Sequence, residues 1–274
     1  MSTARRYVAI GDSFTEGVGD QHRVLPNGVR GWADRVAEQL SKHEPGWEYA
    51  NLAVRSKRLR HIIADQLQPA VAMKPTLVTV YAGGNDLLDI GTNIPVLLQQ
   101  YDEMVAQLAA TGARLLLFTG YEVPLPGPLR AFRRRNNFYN EGVRRIADKY
   151  GATVVDYWAF EGLRDRRMWA SDRMHLSKAG HKYVAMQVLD VLNVPHSIHL
   201  KQRKPLPRRS GLEWERAQRR WAHDWVFPLI GRKLRRVTLG DNLQPRWPNP
   251  VVVPKHGGLR SFARDDAAPP LTKD

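Results

Sequence analysis

The 274-residue chain contains no cysteine. Disulfides, thiolate catalysis and cysteine-ligated zinc or iron–sulfur sites are excluded together, and a reduced, cytoplasmic location is expected. Long apolar runs are lacking as well. The opening MSTARRYVAI has two arginines and only a short apolar stretch, so neither a secretory leader nor a membrane span is expected there. No later stretch approaches the roughly 20 apolar residues that a span needs. Acidic residues are scarce: 27 Asp and Glu stand against 42 Lys and Arg, a formal charge of +15. An excess of that size attracts anions, whether nucleic acid, lipid headgroups or phosphorylated ligands. Phosphate cradles are missing too. Gly17-Val18-Gly19 is followed by His22 where a dinucleotide fingerprint needs its third glycine, and no Gly-Lys-Ser/Thr occurs.

What the chain does contain is alternation. Short apolar runs at Tyr7–Ile10, Tyr49–Val54, Leu77–Tyr81, Leu115–Phe118 and Thr153–Tyr157 read as buried strands. Helical patterns near 30–43, 57–73, 93–110, 131–150 and 177–192 separate or follow them, and Leu97, Tyr101, Met104, Val105 and Leu108 share one helix face. Strand–helix alternation of this kind predicts an α/β fold with a central five-stranded parallel sheet and helices on both faces, spanning residues 1–195.

Beyond about Val194 the texture changes to prolines, basic clusters and tryptophans. From 193 to 274 there are 17 Lys and Arg against 7 Asp and Glu, which places +10 of the charge in this extension, 196–274. Ser210 with Glu213 fits a capping box, predicting a helix over about 211–226 with Trp214, Ala217, Trp221 and Trp225 on one stripe. The remainder, from WPNPVVVPKHGG onward, reads as largely irregular. A helix of this composition suits docking against the domain, or resting on an anionic membrane with tryptophans at the interface.

Ligands of open parallel sheets gather at the carboxyl ends of the strands, and three polar signals fall there. Ser13 follows the first strand, Gly83-Gly84-Asn85-Asp86 the third, and Asp172 with His175 lie beyond the fifth. Histidine has the pKa to deprotonate a serine hydroxyl, and an aspartate fixes its tautomer and stabilises the imidazolium. A developing oxyanion needs donors already in place, and losing one costs roughly 10²–10³ in rate. Asn85 can offer its side-chain amide, and backbone N–H groups at Ser13 and near Ser56 can complete the set. Taken singly, each signal is an ordinary turn or helix cap. His175 and His181, six residues apart, do not make the i, i+4 face of a zinc helix.

These blocks resemble the SGNH hydrolases, the GDSL-type esterases and lipases: GDSFTEG at Ser13, NLAVRS from Asn51 to Ser56, GGND at Asn85 and DRMH at Asp172 and His175. The resemblance covers roughly residues 5–195. It implies a three-layer α/β/α sandwich of flavodoxin-like type and an acyl-enzyme on Ser13. In that scheme His175 is the base, Asp172 its orienting acid, and Ser13, Ser56 and Asn85 form the oxyanion hole, with no metal or cofactor. Position 56 departs from the pattern, since the family usually has glycine there and serine does not reach positive φ freely.

The expected substrate is a small or lipid-like ester. The same machinery would serve an acyltransferase if an alcohol replaced water. Tyr121–Phe138 is expected to overhang the site, with Arg133, Arg134 and Arg135 as candidate substrate contacts. A nucleic-acid-binding reading rests on those arginines, Arg144, Arg145 and the tail, but no recognised nucleic-acid motif accompanies them, so no specific nucleic acid is expected.

Overall fold

A computed structural model of the chain describes residues 5–89, 91–121, 130–201, 210–228, 231, 235 and 237–262. The strands are β1 Arg6–Gly11, β2 Glu48–Asn51, β3 Leu77–Tyr81, β4 Arg114–Phe118, β5 Thr153–Val155 and β6 Trp247–Val252. The helices are α1 Ser13–Glu16, α2 Trp32–His43, α3 Leu59–Ile62, α4 Gln68–Ala72, α5 Gly84–Leu87, α6 Ile94–Ala109, α7 Arg130–Lys149, α8 Lys178–Leu192 and α9 Gly211–Trp221. A π turn, Ile63–Leu67, joins α3 to α4.

The sheet order is β5-β4-β3-β1-β2-β6. Its first five strands are parallel in the flavodoxin-like order, with the chain switching sides of β1 between β2 and β3. The strand pleat creates two cores. Tyr7, Ala9, Leu116 and Phe118 point to one face and pack with Trp32 and Val36 of α2 and Val184 and Val188 of α8. Val8, Ile10, Val78, Val80, Leu115 and Leu117 point to the other. There they meet Leu59 and Ile62 of α3, Val143 of α7, and the stripe Leu97, Tyr101, Met104, Val105 and Leu108 of α6. That layering is the predicted α/β/α sandwich.

Two expected strands end early. Asn51 closes β2 because its side chain accepts from Ala53 N–H at 3.0 Å and donates to the Thr15 carbonyl at 3.1 Å, a local turn that replaces the ladder. β5 stops before Asp156, whose carboxylate takes Arg144 Nη2 at 3.0 Å.

The sheet has six strands where five were expected, and the sixth comes from the extension. β6 runs antiparallel beside β2, pairing Glu48 with Val252, Tyr49 with Val251 and Asn51 with Trp247. Its Pro248 and Pro250 made the segment read as irregular. On an edge strand, however, missing N–H donors are tolerated and discourage further pairing. Arg246, fully buried, reaches Asp34 of α2 at 2.7 Å, and Leu259 is buried with its N–H on Glu38 at 3.3 Å. Residues 246–262 are therefore part of the packed sandwich. Among the described residues no helix is long and apolar enough to cross a membrane.

Candidate active site

Ser13 opens α1 directly after β1. Asp12 caps this short helix by accepting Phe14 N–H at 3.0 Å, while Phe14 anchors it in an aromatic group with Trp32, Tyr81, Phe118 and Tyr157. The serine is thus held at the carboxyl end of the sheet by a cap on one side and a buried ring on the other.

The last block meets it there. His175 Nε2 lies 3.0 Å from Ser13 Oγ, and His175 Nδ1 lies 2.6 Å from Asp172 Oδ2. Asp172 Oδ1 also accepts the backbone N–H groups of Met174 (2.9 Å) and His175 (3.0 Å). Burial would raise the Asp172 pKa, but the hydrogen bond and charge of His175 and those two N–H groups outweigh it and hold the carboxyl below its ordinary range. The close approach of the two blocks needs a glycine. Gly19 has φ +100, and a Cβ there would stand 2.1 Å from the Leu176 carbonyl oxygen, beside His175.

His181 secures the same junction from α8. Its Nδ1 accepts Trp32 N–H at 3.2 Å and its Nε2–H donates to the Val18 carbonyl at 3.0 Å. Burial pushes its pKa down to about 3, so it is neutral and already committed at both nitrogens. Among the described residues no cluster of three or more His, Asp or Glu is placed to hold a metal ion.

Asn85 follows β3 through Gly83, whose φ of +83 and close approach to Tyr139 (2.5 Å from a built Cβ to the hydroxyl) suit glycine alone. Asn85 Nδ2 donates to the Lys57 carbonyl at 2.9 Å and to Asp12 Oδ2 at 3.2 Å. The second and third sequence blocks are thereby tied together, and both to the residue preceding Ser13. Asp86 extends the link by accepting Leu59 N–H at 2.9 Å. Asp12 was not singled out from the sequence, although its place before a helix start is an N-cap signal. It is buried, and burial raises its pKa to about 7 despite the Phe14 N–H and the charge of His175.

Ser56 has φ +66, the left-handed conformation that the family's glycine would adopt without strain. A non-glycine residue there costs roughly 1–2 kcal/mol. Glycine's extra freedom in the unfolded chain offsets about 0.5–1 kcal/mol of that. Ser56→Gly is therefore expected to raise the thermal midpoint slightly, by a net gain of ~0–1.5 kcal/mol, with ester turnover retained or improved. A lowered midpoint in calorimetry would show that the serine side chain is a stabilising contact.

The arginine triplet divides. Arg133 and Arg134 are exposed on α7, whereas Arg135 Nη2 donates to the carbonyls of Asp89 (2.9 Å) and Thr92 (3.2 Å), bracing the loop after α5. Of the segment expected to overhang the site, residues 122–129 lie outside the described residues.

The extension enters the site as well. α9 begins at the predicted box, with Glu213 N–H on Ser210 Oγ at 3.3 Å and Ser210 N–H on Glu213 Oε2 at 2.9 Å, and continues in a π turn, Ala222–Val226. Trp221 Nε1–H donates to the Asp172 carbonyl at 3.0 Å, so this helix docks. Leu212, Trp214 and Phe227 stay mostly exposed.

A model of the GDSL-like lipase/acylhydrolase family matches residues 9–183. No curated protein sequence matches the chain. Among solved structures, the chain is similar to Axe2, an acetylxylan esterase from Geobacillus stearothermophilus. The TM-score is 0.59 at 21% identity, covering 69% of this chain and 94% of that one. It is likewise similar to LAE5, an α/β hydrolase from the metagenome of Lake Arreo, Spain (TM-score 0.60, 23% identity, 72% and 99% covered). TesA gives a TM-score of 0.58 at 23% identity, with 69% and 98% covered. At such identities these structures speak for the fold.

Proposed function

From a chain that belongs to the GDSL-like lipase/acylhydrolase family, a family of hydrolases acting on esters, we propose a carboxylic ester hydrolase working through an acyl-enzyme on Ser13. The observation that carries the reading is the unbroken relay Ser13 Oγ–His175–Asp172, at 3.0 and 2.6 Å. Both distances are within the reach that proton transfer requires.

In the proposed mechanism Ser13 attacks the ester carbonyl while His175 Nε2 takes the hydroxyl proton. Asp172, held ionised, stabilises the imidazolium and keeps Nδ1 as the donor. The oxyanion is received by backbone N–H groups of Ser13 and Ser56 and by the Asn85 amide, which its bond to the Lys57 carbonyl orients and whose second N–H turns from Asp12 Oδ2 to the oxyanion. His175 then protonates the leaving alcohol, and the same base activates water to release the acid. An alcohol in place of that water would make the reaction an acyl transfer. Mass spectrometry of the protein after an active-site-directed fluorophosphonate tests the nucleophile. A single adduct on Ser13 is expected, and an adduct elsewhere with Ser13 unmodified overturns the assignment.

The extension supports a reading of the substrate and of the surface that the protein meets. Exposed Trp214, Leu212 and Phe227 beside Arg216, Arg219 and Arg220 suit an anionic lipid surface and a lipid-like ester. Cosedimentation with phosphatidylglycerol vesicles above that with phosphatidylcholine is the expected outcome. Equal partitioning between the two would refute the charge attraction, and preferential capture of DNA would favour the nucleic-acid reading.

A further inference from the structure

We propose that α9 is an arm of the active site and that Trp221 positions the acid–base relay. The proposal rests on the reading of Ser13, His175 and Asp172 given above and adds a part that lies beyond the family match, which ends at residue 183.

The turn carrying the relay is short and contorted. Ala170 N–H bonds the His175 carbonyl at 2.8 Å, Arg173 N–H bonds the Ala170 carbonyl at 3.0 Å, and Arg173 has φ +61. A left-handed non-glycine residue persists only where its surroundings fix it. Here Asp172 Oδ1, bonded to the N–H groups of Met174 and His175, holds the turn from within, and α9 holds it from outside. The Asp172 carbonyl, directly before Arg173, accepts the Trp221 indole N–H at 3.0 Å. The Arg173 guanidinium lies over the Trp221 ring at 4.6 Å, and its Nη1 donates to Gln218 Oε1 at 2.6 Å. Two successive residues of the turn, one through its main chain and one through its side chain, are gripped by one face of the helix.

The grip has a chemical consequence. The Asp172 peptide orientation sets where its carboxylate stands, and the carboxylate sets the His175 ring that faces Ser13. Trp221 touches none of the reacting atoms, so it is a positioning residue. Displacements of about 1 Å at a reacting group cost of order 10²-fold in rate. Trp221→Phe keeps the ring under Arg173 and removes the N–H, and Trp221→Ala removes both.

The test is steady-state kinetics across pH on a short p-nitrophenyl ester, with thermal unfolding and an NMR titration of the His175 imidazole in the full-length protein. kcat is expected to fall ~3–10-fold in Trp221→Phe and ~10–100-fold in Trp221→Ala, with KM changed much less. The acid limb of kcat/KM and the His175 titration should both move to lower pH, because a loosened carboxylate stabilises the imidazolium less. A purely structural role would lower the melting temperature alone. Unchanged kcat and an unmoved His175 titration in Trp221→Ala overturn the inference. If the wild-type protein turns over no ester, the esterase reading fails instead, and the NMR titration alone decides whether Trp221 governs the relay.

Discussion

Ser13→Ala is expected to reduce kcat/KM on a short p-nitrophenyl ester by roughly 10⁴–10⁶-fold, leaving only what the oxyanion donors and binding supply. The fold should survive. The hydroxyl's partner is His175 at 3.0 Å, Ser13 is partly exposed, and the α1 cap comes from Asp12 rather than from the serine. An unchanged melting curve beside the lost turnover is the predicted combination. His175→Ala should cost a similar factor, and the double variant should cost no more than either single one, because residues acting as one unit are non-additive. Full activity in Ser13→Ala would end the acyl-enzyme proposal.

Arg246→Ala is expected to be the most destabilising single change in the extension. Arg246 and Asp34 are both fully buried, and Arg246 Nη1 holds Asp34 Oδ2 at 2.7 Å and the Glu16 carbonyl at 2.9 Å, while Nε holds the Pro26 carbonyl at 3.0 Å. Truncating the arginine leaves a buried carboxylate whose remaining donors are Tyr49 Oη and Gly31 N–H, each at 3.0 Å. Breaking a buried pair on one side costs about 3–5 kcal/mol. In a domain of this size that corresponds to a drop of about 10 °C in the melting temperature. Asp34→Asn combined with Arg246→Met removes both charges and should recover much of the loss. A midpoint for Arg246→Ala within a degree or two of wild type would show that residues 246–262 contribute little to the sandwich.

Glu16 connects this pair to the candidate active site. Its carboxylate is buried and binds Arg55 Nη2 at 2.7 Å, next to Ser56, while its carbonyl holds Arg246. The second sequence block and the extension therefore meet under α1. Neither contact has a local signature, since Glu16 and Arg246 lie 230 positions apart. The residues of the candidate site were legible because their turn signals fall together at strand ends and resemble the blocks of one family: Ser13 after an apolar run and glycine, Asn85 inside GGND, Asp172 three before His175. The contacts of Asp12 with Asn85 and of Trp221 with the Asp172 carbonyl were not, because only folding supplies those partners. β6 was missed for a related reason. Its prolines argue against a strand wherever both sides are paired, and only the free side of β2 makes an edge position available.

By itself the sequence determined the parallel α/β class, the helices on both faces and three turn signals at strand carboxyl ends, to which a family resemblance added Asn51–Ser56, since strand alternation, helix periodicity and turn chemistry act over a few residues. The tertiary structure decided what distance along the chain conceals. It closed the sheet with a proline-bearing sixth strand, neutralised a buried aspartate with Arg246 and laid an indole against the turn that carries His175. Those outcomes depend on which buried groups remain unpaired once the core has formed, and that is a property of the assembled fold.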